Sequence, residues 1–157
     1  MSWSRMTKAM LMPIFGFMAA QNGRSGEFQI VLPNYTAPLG IGTSTSSPKA
    51  DGNHSAGDDT INTKAWTWGQ TGIMKAGDLI KFTSHSKVYM VSEDTNSGGS
   101  GLAILNINTP LVQDIIGDDV IIVTNVPFTV SADEDILTWK GSAPNLATIS
   151  LSFTEAL

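Results

Sequence analysis

The sequence has no cysteine, only two histidines and few charges: nine Lys and Arg against fourteen Asp and Glu in 157 residues. Each shortage removes a class of chemistry. Without cysteine there is no disulfide scaffold, no thiolate nucleophile and no Cys-ligated zinc. His54 and His85 are too few for a three-histidine metal centre. A net charge of −5 removes the basic surface by which proteins hold nucleic-acid phosphates, and with it sequence-specific nucleic-acid binding. The 41% hydrophobic content is too high, and the 15% charged content too low, for a disordered tail. What remains is a β-rich globular chain of single-domain length, residues 1–157.

Catalytic motifs are equally scarce. There is no phosphate loop ending in Gly-Lys-Ser/Thr and no His-Glu-x-x-His pair. Gly40-Ile41-Gly42 begins like a dinucleotide fingerprint, but no third glycine follows at the required spacing. Asp51-x-Asn53-x-Ser55 resembles the start of a calcium loop, yet Ala56 replaces its glycine and Asn62 its bidentate glutamate. The acids at Asp58-Asp59, Asp118-Asp119 and Asp133-Glu134-Asp135 sit in turn-like sequence, where adjacent carboxylates point into water rather than form a glycosidase pair. His85, between Ser84 and Ser86, reads as an exposed or capping side chain of a hairpin turn. The expectation is a protein that is not an enzyme and holds no cofactor or metal.

The uncharged run from Ala9 to Ala20 is too short to span a membrane. Leu11, Ile14, Phe15 and Met18 recur at i, i+3, i+4 and i+7, which predicts a helix over 7–22 with Thr7 as N-cap and Gly23 near its stop. Met10, Met12 and Phe17 widen its apolar face, so a partner subunit is expected to cover part of it. Arg5 and Lys8 ahead of the run, with the small residues Ala19-Ala20 at its end, also allow a secretion signal.

Beyond the helix, Glu27 to Leu32 reads as a strand, and 33–59 as a long Gly/Ser-rich loop or assembly arm. Strand-like segments resume at Thr60–Trp68, Asp78–Thr83, Lys87–Glu93, Leu102–Ile107, Val120–Val123, Pro127–Val130, Ile136–Trp139 and Ala147–Phe153. About eight short strands and one N-terminal helix predict a mainly β fold, a small barrel or sandwich. Trp66 and Trp68, two apart, are expected to share one strand face. That face packs a core or interface, or else, with Trp139 and Tyr89, stacks on sugar rings.

Several phrases taken in order carry a family resemblance. They are Met6-x-x-Ala9, the run Phe17 to Phe28, Pro38-Leu39-Gly40, Ala76 to Phe82, Lys87 to Val91, Gly101-x-Ala103, Pro110-Leu111 and Ser152 to Ala156. Together they resemble distal-tail or baseplate-hub proteins of long-tailed bacteriophages. The resemblance implies a non-enzymatic virion protein, made in the host cytoplasm, that joins the tail tube to the tip. It further implies a homo-oligomeric ring, often hexameric, in contact with tube, hub or tape-measure components. It also implies strands ahead of the helix, where only Met1 to Arg5 stand, so that a neighbour supplies a barrel edge or the chain starts late. The expected subunit interface comprises Leu11, Ile14, Phe15, Phe17, Met18, Trp66 and Trp68. The competing readings are a secreted carbohydrate-binding β-domain and, with least support, a hydrolase built on the acidic clusters.

Overall fold

The computed structural model describes residues 2–42, 47–134, 139–142 and 146–156. It is mainly β, with a single α-helix among the described residues. The chain divides into two compact units, one formed by 1–29 with 129–157 and one by 30–128.

In the first unit, β1 (Ser2–Met6) pairs antiparallel with β11 (Leu146–Ser150), which also pairs with β10 (Trp139–Ser142). β1 supplies an edge strand where the sequence predicted none. A second sheet has the order β12 (Phe153–Glu155), β9 (Pro127–Ala132), β2 (Glu27–Val31). The predicted strand over 147–153 is therefore two strands, broken at Leu151 and Ser152. The start of the strand predicted over 136–139 lies outside the described residues.

The helix α1 (Lys8–Ala20) follows β1, with Thr7 as N-cap residue. Thr7 caps through its backbone carbonyl, which accepts from Met10 and Leu11 N–H, both at 3.0 Å; its hydroxyl makes no cap bond. The helix runs through Pro13 and stops at Ala20, because Asn22 and Gly23 both take left-handed backbone angles. Leu11 and Met18 enter a core with Met6, Ala132, Ala147, Ile149 and Leu151, and Ile14 and Phe15 pack half-buried against it. The i, i+3, i+4, i+7 stripe thus faces inward as its period requires. Phe17 stacks edge-on against Phe28, and Phe28 against Phe153, with ring centroids 5.1 and 5.4 Å apart.

The second unit is a six-stranded antiparallel sheet curled into a nearly closed barrel. Its order is β3 (Lys49–Ala50), β4 (Thr60–Lys64), β7 (Ala103–Asn108), β6 (Val88–Val91), β5 (Leu79–Phe82), β8 (Ile121–Ile122). A bridge between Lys49 and Val120 joins the two ends; Ala50 N–H donates to Asp119 O at 2.9 Å and Ile121 N–H to Pro48 O at 2.8 Å. Closing the sheet this way leaves no long open edge. Alternate strand residues point inward, and Ile61, Leu105, Ile80, Phe82, Tyr89 and Val91 are fully buried in the barrel core.

The long loop expected over 33–59 is only partly a loop. Its second half contains β3, and His54 pairs backbone-to-backbone with Ile115. Asp51 N–H reaches Asn62 O and Gly57 N–H reaches Leu111 O, so 47–59 is sewn to the barrel. Its most Ser/Thr-rich part, 43–46, lies outside the described residues.

Candidate functional site

The described part of the first half of that loop forms a strap along the second unit. A short 3-10 turn, Pro33–Tyr35, opens it, and Asn125 N–H donates to Thr36 O at 2.8 Å. The buried Asp78 carboxylate then pins it. Leu39 N–H donates to Oδ1 at 2.6 Å, and Gly40 and Lys75 N–H donate to Oδ2 at 3.1 and 2.7 Å. Ile41 N–H adds a bond to Gly72 O at 3.0 Å. From Leu39 to Gly42 the side chains alternate, but with unusual content. The buried positions are glycines, where a Cβ on Gly40 would stand 2.4 Å from Ile73 O and one on Gly42 2.5 Å from the same atom. The outward positions are aliphatic, with Leu39 80% exposed and Ile41 54%. Burial normally runs the other way.

The tryptophan pair divides. The strand predicted over 60–68 ends at Lys64 because Ala65 takes φ +65°. Trp66 turns into the barrel core at 2% exposure, while Trp68 stands 70% exposed. The expectation that both indoles share a face is therefore wrong, and no paired-indole platform for sugar rings forms. Trp66 is tied down by a relay in which its Nε1–H donates to Thr63 Oγ1 at 2.7 Å and that hydroxyl donates to Ala103 O at 2.9 Å. Tyr89, the other expected platform member that is described, is buried in the same core; of Trp139 only the strand backbone is described.

His85 is buried, not exposed at its turn. Its Nδ1 lies 3.0 Å from Tyr89 Oη and its Nε2 3.3 Å from Asp114 O. A carbonyl only accepts, so in the neutral imidazole Nε2 carries the hydrogen and Nδ1 accepts from the Tyr89 hydroxyl. That hydroxyl in turn accepts the Val112 N–H at 3.2 Å. Both ring nitrogens thus have partners within the fold. His54 is buried too; its Nδ1 stands 3.8 Å from Asp58 Oδ2.

The acidic pairs serve as turn anchors. Asp58 accepts Ser55 N–H, and Asp114 accepts Ala56 N–H. Asp118 and Asp51 flank Lys64 at 3.2 and 3.4 Å and hold its ammonium pKa above the usual 10.5. Asp119 accepts the hydroxyls of Thr83 and Ser84, and Asp133 accepts that of Thr154; Asp135 lies outside the described residues. Asp94 is paired with Lys75 at 2.6 Å and accepts Ala76 N–H, which together hold its carboxyl below the usual 3.8. No group of three or more His, Asp or Glu among the described residues is arranged to hold a metal. No described helix is long and apolar enough to cross a membrane.

Of the expected interface residues, Leu11, Met18 and Trp66 lie in the chain's own cores, Ile14 and Phe15 are half-buried, and Phe17 and Trp68 remain exposed. A family model described as the B domain of the distal tail protein pb9 matches residues 44–126, more than half of the chain. The chain belongs to this family. The matched region of this distal tail protein covers the barrel from β3 to β8 and begins after the pinned strap. Membership makes it a component of the phage tail with a structural role. No curated protein matches the chain.

Sequence reasoning passed over Asp78 and the strap. Their signal was present in the alternation Leu39-Gly40-Ile41-Gly42, whose glycines mark a close backbone approach.

Proposed function

We propose that this chain is a non-enzymatic subunit of the distal-tail or hub ring, a homo-oligomer, hexameric, that joins the tail tube to the tip complex. The observation that carries this reading is the distal-tail family match over the barrel. In this reading 1–157 acts as one β-rich subunit, made in the host cytoplasm and built into the virion. Its neighbours are tube, hub or tape-measure proteins. The apolar side chains left on α1, namely Met10, Met12 and Phe17, join the ring interface, because desolvating them against a neighbour is favourable at about 25 cal/mol per Å².

Sedimentation and light scattering on the full-length chain test it. A ring of six has about 100 kDa, six times 16.7 kDa, so the assembly has that mass or a whole multiple of it and shows as an annulus in electron micrographs. A monomer at all concentrations, with no annulus, overturns the reading.

A further inference from the structure

We propose that the strap face of the second unit is a self-complementary contact at which two copies of this chain meet about a two-fold axis. The proposal does not depend on the ring reading, and the strap precedes the residues matched by the family model.

Three stretches build this face: the strap to Gly42, the turn from Ala65 to Ile73, and the hairpin tip from Asn96 to Gly101. They are held together by backbone bonds from Ile41 N–H to Gly72 O, Trp66 N–H to Gly101 O and Gly69 N–H to Gly98 O. The strap, turn and tip fall within three uncharged runs, 28–48, 65–74 and 95–113. The rest of the unit is acidic, with nine acids and five lysines between 30 and 128. Two copies of an acidic chain repel wherever carboxylates face each other, so a face without net charge, bordered at Gly72 by the paired Lys75 and Asp94, is where they can approach closely.

The face also carries both halves of a fit. Leu39 and Trp68 project from it. Beside them, a hollow of 80 Å³ is lined by Ile41, Gly42, Trp66, Thr67, Gln70 and Ile73, about the size of a branched aliphatic side chain. Projection and hollow on one surface are what an isologous contact needs, since each copy then both gives and receives. With Tyr35, the exposed parts of Leu39, Ile41 and Trp68 offer on the order of 500 Å² per copy, hence ~1,000 Å² for the pair, the lower bound of a specific interface. Asp78 holds Leu39 and Gly40 in place beforehand, so little ordering cost remains on contact.

The test compares full-length wild type with Leu39→Asp by sedimentation velocity over a range of concentrations. Leu39 is solvent-exposed, so the variant keeps its fold, which circular dichroism verifies. The wild-type assembly is expected to have twice the mass of the variant, or a dissociation constant at least tenfold lower. This factor of two reads the proposal whatever the ring order, while the mass that the variant retains reads the ring. Because the chain has no cysteine, Ser100→Cys provides a unique thiol at the hairpin tip. A short bismaleimide should link it to its counterpart, and Leu39→Asp should abolish the link. Equal masses for wild type and Leu39→Asp overturn the proposal. So does a Ser100→Cys thiol that alkylates fully yet yields no linked pair, or sugar binding at Trp68 without any difference in mass.

Discussion

The Asp78 carboxylate accepts the Gly40 N–H across 38 residues of chain, and the same Oδ2 also accepts the Lys75 N–H. One buried side chain thereby fixes both the strap and the turn that leads into β5. Asp78→Ala removes the acceptor for three backbone donors. Each such donor costs about 1–3 kcal/mol if it stays dry, and strap release returns some to water. The expected loss is about 2–4 kcal/mol in urea unfolding, with Asp78→Asn milder. Hydrogen exchange should speed up at Leu39 and Gly40 more than at β4 or β7.

Gly40→Ala tests the same strap sterically. Its Cβ would meet Ile73 O at 2.4 Å, and the rigid backbone cannot yield cheaply. A destabilisation of about 1–3 kcal/mol is expected, as for overpacked sites. Gly99→Ala, where a Cβ meets nothing within 4 Å, should change little.

The two tryptophans should differ sharply. Trp66→Ala empties a core site and is expected to cost about 3–5 kcal/mol, whereas Trp68→Ala stays within about 0.5 kcal/mol for the unassociated chain. Thr63→Val keeps the shape but strands the indole N–H and the Ala103 carbonyl, at about 1–3 kcal/mol. Denaturant midpoints on the three variants check the order.

The His85 tautomer is open to direct observation. Long-range proton–nitrogen spectra of the neutral ring should show hydrogen on Nε2. Tyr89→Phe takes away the donor to Nδ1 and the acceptor for Val112 N–H, and should destabilise by about 1–3 kcal/mol.

Asp94 gives a pH signature. Its carboxyl is held down first by the Lys75 ammonium and then by the Ala76 N–H. Since its folded pKa lies below the unfolded one, its contribution is complete at neutral pH and lost as the pH falls through the folded value. Carbon-detected titration should place the Asp94 midpoint below 3.8, and Lys75→Met should move it back up.

What the sequence revealed follows from where side-chain periodicity governs burial. The stripe Leu11, Ile14, Phe15, Met18 was legible because a helix repeats its inward face every three to four residues. The alternation in β4 and β7 was legible for the analogous reason. β3 was not, because two residues in a polar stretch close the barrel through backbone bonds that need no particular side chain. The Trp66–Trp68 reading failed at a single torsion, the left-handed Ala65, which no local propensity announces in alanine. His85 was misplaced because its partners, Tyr89 and the Asp114 carbonyl, lie 4 and 29 residues away. Turn-like neighbours said nothing of either.

The first unit is discontinuous: its 1–29 segment precedes the whole of the second unit, and its 129–157 segment follows it. On the ribosome the order of emergence is therefore fixed. Helix α1 leaves the tunnel with Leu11 and Met18 lacking Ala132, Ala147, Ile149 and Leu151, while the barrel appears as one uninterrupted stretch and can mature first. The apolar helix must wait through about a hundred residues of synthesis for the strands that cover it. A released chain truncated after residue 130 should thus hold a protease-resistant barrel and a protease-sensitive helix, and until the last strands are made the helix is the segment most in need of a chaperone.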